Sequence, residues 1–116
     1  MWKLGLTKDF NAAHFLPGHP KCGVLHGHTW KVEVQIESTD LVDNMIVDFA
    51  NIKDEINRLD HKNLNEMFDY PTAEVIAGFL DSKIGELLTE LNSSARIVYV
   101  RVWESKDCYA EWSNEE

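Results

Sequence analysis

Basic residues are scarce in this sequence, where 11 lysines and arginines stand against 20 aspartates and glutamates for a formal net charge of -9. Contact with a phosphate backbone needs a basic face, so nucleic acid is excluded as the main partner, and the acidity favours dispersal in water. Cysteine is limited to two residues, too few for a disulfide framework. No apolar run approaches the roughly 20 residues of a membrane span, and the N-terminus lacks the layout of a signal peptide. No membrane partner is expected, and the expected compartment is the reducing cytoplasm. Glycine-rich dinucleotide fingerprints, internal repeats, low-complexity tracts and long linkers are also missing. The only loose stretches, 17–21, 38–44 and 92–95, read as turns or loops.

What is present is enough for one core: 116 residues, 44% of them hydrophobic, are expected to form a single domain over residues 1–116. A strict alternation sets His26, His28, Trp30, Val32, Val34 and Ile36 on one face, with Thr29, Lys31, Glu33, Gln35 and Glu37 on the other. That is a strand pattern. The opening segment alternates more loosely, with Leu4, Leu6, Phe10, Ala12 and His14 on one face and Lys8 as the exception. Asp48 caps a predicted helix with Phe49, Ile52, Ile56 and Leu59 inward, ending near Asp60. Thr72, after Pro71, caps a second helix with Val75, Ile76, Phe79, Leu80, Ile84, Leu87, Leu88 and Leu91 inward. From Arg96 the chain alternates again, with Val98, Val100, Val102 and Glu104 sharing a face. The expected order is strand, strand, helix, helix, strand, strand.

Histidine and cysteine carry the chemistry. His26 and His28 lie two apart on a strand, so their rings point the same way about 6–7 Å apart and can converge on one ion with bonds of about 2 Å. His14 continues the apolar face of the first strand toward the same rim. Alone, a histidine on an apolar face is more often a hydrogen-bonded core residue than a ligand. Three of them at this spacing favour a metal site. Zinc suits three neutral imidazoles better than magnesium or calcium, which want oxygen donors, although iron or another transition metal fits the same set.

Cys22 has two readings. Four residues before His26, it is either a fourth ligand closing a structural zinc site, or a thiolate beside an open catalytic site, favoured by the ion's charge. The second reading is preferred, because a closed site leaves the Asp60-His61 pair unexplained. Cys108 has no comparable neighbours and reads as structural. In that pair the histidine can exchange protons near neutral pH while the acid holds its tautomer; its plainer reading is a histidine facing the helix C-terminus. The Glu104 carboxylate ends an apolar row, where an unpaired charge is expensive. It is either a salt bridge or solvated strand end, or the acceptor for a planar N-H edge such as that of a guanine or pterin ring.

Taken in order, His14 in Phe-x-x-Ala-His, Cys22-x-x-x-His26-Gly-His28, Val47-Asp48-Phe49, Leu59-Asp60-His61-x-x-Leu64-Asn65, Pro71-Thr72-x-Glu74 and Trp103-Glu104-Ser105 resemble the 6-pyruvoyl-tetrahydropterin synthase family over nearly the whole chain. The compact length is most similar to the 6-carboxy-5,6,7,8-tetrahydropterin synthase branch of queuosine biosynthesis. The resemblance implies an α+β tunnelling fold (T-fold): a four-stranded antiparallel sheet with two helices on one face, in the order ββααββ. Three subunits then close a β-barrel, two trimers stack into a hexamer, and the active sites lie between subunits. It also implies zinc held by His14, His26 and His28, Cys22 as catalytic base, Asp60 and His61 as proton relay, and Glu104 as anchor of the pterin ring. Thr72 and Glu74 match positions near that ring.

The implied activity is that of a zinc-dependent lyase converting 7,8-dihydroneopterin triphosphate to 6-carboxytetrahydropterin, acetaldehyde and triphosphate. One alternative is a 6-pyruvoyl-tetrahydropterin synthase, which eliminates triphosphate without carbon-carbon cleavage. Another is a non-catalytic zinc-stabilised binding domain. The chain departs from the family pattern at Asn44-Met45, where Gly-Met is usual, at Ser105, where threonine is usual, and at Lys106-Asp107-Cys108. These departures bear on loop shape and pocket detail.

Overall fold

Two 13-residue strands dominate the computed structural model, which describes residues 1–115. β1 (Trp2–His14) and β2 (His26–Ser38) pair antiparallel along their full length, from Trp2 opposite Ser38 to His14 opposite His26. The alternation in sequence becomes alternation in space: Phe10, Ala12 and His14 of β1, and Trp30, Val32, Val34 and Ile36 of β2, are all buried. A one-residue slip would turn every one of them to the opposite face, so burial fixes the register that sets the histidines opposite each other.

α1 (Phe49–Asn57) starts where the Asp48 carboxylate accepts the Ala50 N–H at 2.9 Å. α2 (Ala73–Leu91) starts where the Thr72 hydroxyl accepts the Val75 N–H at 3.2 Å. Both helices contribute to one core with the sheet: Ile52 and Ile56 from α1 and Ile76, Leu80, Ile84 and Leu88 from α2 join Phe10 and Trp30. Fully burying each such side chain contributes roughly 1.5–3 kcal/mol. The helical faces are narrower than expected, since Phe49 (53% exposed), Val75 and Leu91 lie outside the core. Phe49 instead lines an apolar groove with Trp2, Leu4, Leu41 and Met45. No helix among the described residues is long and apolar enough to cross a membrane.

Among the described residues the sheet carries five strands rather than four. The chain leaving α1 lies along the free edge of β1, where β3 (Lys62–Asn63) pairs in parallel with Ala12 and Ala13. Two residues are too short for an alternating pattern to betray them, yet they satisfy edge groups that would otherwise need water. β4 (Ala95–Ser105) pairs with β2, and β5 (Cys108–Ser113) with β4, giving the order β3-β1-β2-β4-β5. The sheet is therefore mixed.

The expected face of β4 also needs a correction at its first member. Tyr99 opposes Gln35 and Ile97 opposes Ile36, so Val98 is the extra residue of a β-bulge. Ile97 takes the core position that alternation gives to Val98, and Val100 and Val102 then follow as expected.

A tight turn explains one departure from the family pattern. Val42 and Met45 exchange backbone hydrogen bonds of 2.8 and 3.0 Å across Asp43 and Asn44, whose φ angles are 53° and 65°. Both are left-handed, as a two-residue hairpin turn demands, and Asn and Asp tolerate that region better than other side-chain-bearing residues. Asn44 thus fills a position where glycine is at home.

Candidate active site

The end of the β1–β2 ladder brings three imidazoles together. His14 and His26 are a directly opposed pair and His28 stands diagonally across, with ring centroids 4.7 Å (14–26), 5.2 Å (14–28) and 4.8 Å (26–28) apart. Their ligand atoms all lie within 4.8 Å of one another. Trp30 floors the cluster, its indole edge-on to His14 at 4.9 Å and to His28 at 5.4 Å, and its Nε1 donates to the Ala12 carbonyl at 3.2 Å. The stack of Phe10 on Trp30, 5.7 Å apart and 3° from parallel, anchors that floor in the core.

Hydrogen bonds set which nitrogen of each ring is free. His14 Nδ1 meets the Pro71 carbonyl at 2.7 Å, and His26 Nδ1 meets the Val24 carbonyl at 2.6 Å. A carbonyl accepts only, so in both rings Nδ1 donates, which leaves Nε2 as the atom that can face a ligand. Nε2 of His14 and of His28 is buried without a hydrogen-bond partner among the described residues. Burial, reinforced by the neighbouring rings and opposed by Glu104, lowers the pKa of His28 below its ordinary value. Three imidazoles whose ligand atoms converge, two of them with an unpartnered Nε2, are what a divalent transition metal requires, and the three histidines fit one with a fourth position open.

Glu104 faces that opening from β4. Its two carboxylate oxygens lie 3.8 Å from His14 Nε2 and 3.7 Å from His28 Nε2, with a third of the side chain exposed. It lines a groove with Leu16, Thr72, Glu74, Cys108 and Tyr109. The expected ring-pocket residues are thus gathered around one carboxylate. Thr72 spends its lone pair on the cap of α2 and still has a hydroxyl proton to donate. Cys108, read as structural, is exposed at the start of β5.

Cys22 stands apart from the histidines. Among the described residues the cluster of possible ligands consists of His14, His26 and His28, so the closed four-ligand reading has no geometric support. The thiol is free and half-buried on a compact loop, where its carbonyl accepts the Leu16 N–H at 2.7 Å and its N–H donates to His19 Nδ1 at 2.8 Å. Glycine is required next: a Cβ on Gly23 would sit 2.7 Å from the His19 carbonyl.

Asp60 and His61 are clamped to the edge of β1. Asp60 Oδ1 accepts the Asn11 N–H at 2.8 Å, and the His61 N–H donates to the Asn11 carbonyl at 2.6 Å. The Asn11 amide, and then the His61 ring 2.8 Å from Oδ2, hold the Asp60 carboxyl below its usual range. An ionised Asp60 fixes the tautomer of His61 with Nδ1 protonated and Nε2 outward. His61 has φ 59°, a strained left-handed conformation for a residue with a side chain, and its ring is 82% exposed. With His28, Gly27, Thr29 and Lys62 it lines an open groove separate from that of Glu104. One chain therefore divides the candidate residues between two grooves, with His28 lining the first and lying 3.7 Å from Glu104 in the second.

Sequence reasoning gave no role to several residues that shape this region. The carbonyls of Pro71 and Val24 and the backbone of Asn11 carry no side-chain signal. Asn65 does: its amide accepts the Phe15 N–H and donates to the Phe15 carbonyl, each at 2.9 Å, standing in for a strand neighbour just past His14.

Comparison with known proteins places this arrangement. A family model described as 6-pyruvoyl tetrahydropterin synthase matches residues 3–115. An Archaeoglobus fulgidus protein, provisionally named a 6-carboxy-5,6,7,8-tetrahydropterin synthase, is 38% identical over 93% of this chain and 92% of its own length. A Pyrococcus furiosus protein named dihydroneopterin monophosphate aldolase is 31% identical over 85% of this chain and 86% of its own. The solved Caenorhabditis elegans 6-pyruvoyl tetrahydropterin synthase shares the fold, with a TM-score of 0.73 at 22% identity over 98% of this chain and 96% of that one. With its histidine cluster at the end of the first two strands and a family match over almost every residue, the chain belongs to the 6-pyruvoyl tetrahydropterin synthase family.

Proposed function

We propose that the chain is a zinc-dependent 6-carboxy-5,6,7,8-tetrahydropterin synthase acting on 7,8-dihydroneopterin triphosphate. The observation that carries this reading is the histidine trio, with two unpartnered Nε2 atoms and the Glu104 carboxylate less than 4 Å away. Bound by His14, His26 and His28, zinc supplies Lewis acidity toward the hydroxyls of the substrate's side chain. Glu104 takes the N-H edge of the pterin in a charge-assisted pair, beside Thr72 and Glu74. Cys22, as thiolate, removes a proton from a side-chain carbon. His61, with Nδ1 held by Asp60, exchanges the next proton through its outward Nε2. The hydrogens gained by the ring are lost by the side chain, so no nicotinamide or flavin is needed.

The separation of His61 from the Glu104 groove supports a site completed by a second subunit. Among the described residues two sheet edges are open for this: β5 pairs only with β4, and β1 meets β3 at just two residues. Closing those edges between three chains forms a barrel, and two trimers stack into a hexamer. Light scattering of the zinc-loaded protein checks this, and a stable monomer would count against shared sites.

The direct test is incubation of zinc-loaded protein with 7,8-dihydroneopterin triphosphate, with products identified by mass spectrometry and acetaldehyde trapped. Acetaldehyde with 6-carboxytetrahydropterin establishes the reading. A pyruvoyl product without acetaldehyde assigns the chain to 6-pyruvoyl-tetrahydropterin synthesis. The Pyrococcus furiosus relative favours a second reading, carbon-carbon cleavage of dihydroneopterin monophosphate. Turnover of the monophosphate and not the triphosphate would select it. Failure with both, in folded zinc-loaded protein, leaves a zinc-stabilised binding domain.

A further inference from the structure

We propose that His19 is the positioning residue of Cys22, an inference that rests on Cys22 being the proton-abstracting group. His19 Nδ1 accepts two backbone N–H groups, from Lys21 at 3.1 Å and from Cys22 at 2.8 Å. An acceptor of two N–H donors carries no proton, so the ring proton is on Nε2. The geometry is that of a helix cap or Asx turn, in which a side-chain acceptor at one position receives the amides two and three residues on. Pro20, between them, has no N–H to satisfy and fixes its own φ. The His19 N–H in turn donates to the Leu16 carbonyl at 3.0 Å, and the Leu16 N–H to the Cys22 carbonyl at 2.7 Å. Together these bonds tie both backbone groups of Cys22.

The thiol needs such support because it has none from the sheet. His14, His26 and His28 are held by strand register, whereas Cys22 lies on a loop between β1 and β2. A displacement of about 1 Å at a reacting group can cost on the order of a hundredfold in rate. His19 supplies the missing constraint, closing the loop from within so that Sγ keeps one position relative to the histidine cluster. Gly23 belongs to the same closure, since any side chain there would collide with the His19 carbonyl.

The test compares His19→Ala and His19→Asn in full-length, zinc-loaded protein. Asparagine places Oδ1 where the histidine has Nδ1, two bonds beyond Cβ, so it can receive the same two amides. Three readouts are taken: kcat and KM for 7,8-dihydroneopterin triphosphate, zinc content, and the iodoacetamide alkylation rate of Cys22 relative to Cys108 by peptide mass mapping. For His19→Ala, kcat is expected to fall about tenfold with KM and zinc content little changed, and the alkylation ratio to move at least about threefold. His19→Asn should return both to within about twofold. An alanine variant matching the parent in kcat and alkylation overturns the proposal, as does an asparagine variant no better than alanine.

Should His19→Ala not fold, His19→Gln replaces it: its oxygen lies one methylene too far, so equal behaviour of the Gln and Asn variants overturns the proposal. If Cys22→Ala itself retains full turnover, the reading of Cys22 as base fails. The alkylation ratio alone then decides whether His19 positions the thiol.

Discussion

The strand-borne and loop-borne parts of this site are built in different ways. His14, His26 and His28 sit on a ladder of 13 paired residues over a core of Phe10 and Trp30, and burial lowers the pKa of His28 so that its ring stays neutral. Asp60 and His61 hang from the edge of β1 by the backbone of Asn11, and that amide acts in the opposite sense, keeping the Asp60 carboxylate charged. One region gathers imidazoles that can hold a cation, and the other keeps a charge that orients the His61 ring. A metal needs several donors fixed to within tenths of an ångström, which a sheet supplies, while proton transfer needs an exposed group at a surface the substrate can reach.

Removing a ligand should break the comparison most sharply. Structural zinc sites are worth about 10–16 kcal/mol, so deleting one imidazole costs about 4 kcal/mol, or roughly a thousandfold in metal affinity. His28→Ala is expected to purify with little zinc by elemental analysis, and with no turnover. On the loop side, Cys22→Ala and His61→Ala should keep full zinc content while turnover drops about 10²–10³-fold. A Cys22→Ala protein that lost its zinc would show the thiol to be a ligand after all.

Those two outcomes divide along the line of what the sequence made legible. Period-two alternation over 26–36 and 4–14 revealed both strands and the face bearing all three histidines, because burial enforces that period. Capping by Asp48 and Thr72 was readable for the same local reason, a short polar side chain ahead of an apolar face. Hidden were the features made by contacts distant in sequence: the pairing of Lys62–Asn63 with β1, the bulge at Val98, and the Pro71 carbonyl that fixes His14 from 57 residues away. Asp60-His61 was readable as a dipeptide, but its attachment to Asn11 was not, since a backbone acceptor leaves no trace in sequence.

Glu104 tests the ground between the two regions, being strand-borne yet one-third exposed. Glu104→Gln keeps the shape and removes the charge, which is worth about 1–2 kcal/mol against a planar N-H edge. KM for the pterin substrate is expected to rise about tenfold with zinc retained. Unchanged KM would return Glu104 to the plainer role of partner to the histidines.

A pH experiment on metal-free protein separates the regions electrostatically. His28 has its pKa lowered by folding, so its contribution to stability is complete above the unfolded value of about 6.5 and is lost as pH falls below it toward the folded value. Asp60 is also lowered, but from the carboxylate range, so its contribution persists to about pH 4 and is lost only below that. Thermal melts of the parent should therefore decline from pH 6.5 downward, and His28→Gln should flatten that decline while leaving the steeper loss below pH 4. A flat profile between pH 5 and 7 in the parent would contradict the burial assigned to His28.

The smallest expected effect isolates the backbone of the loop region. His61 pays for its position with φ 59°, a conformation that costs a side-chain-bearing residue about 1 kcal/mol and a glycine almost nothing. His61→Ala and His61→Gly both remove the imidazole, so both should lose turnover to the same degree. They differ in strain: glycine relieves it and alanine does not. The glycine variant is expected to melt about 2–4 °C above the alanine variant, less the entropy glycine gives back to the unfolded chain. A glycine variant that melts below the alanine variant by the full entropy difference would mean that the two bonds to Asn11 hold the loop left-handed at no cost. A higher melting temperature for glycine would show stability given up at the residue proposed to carry the proton, while His14, unstrained on its ladder, has no such reserve to release.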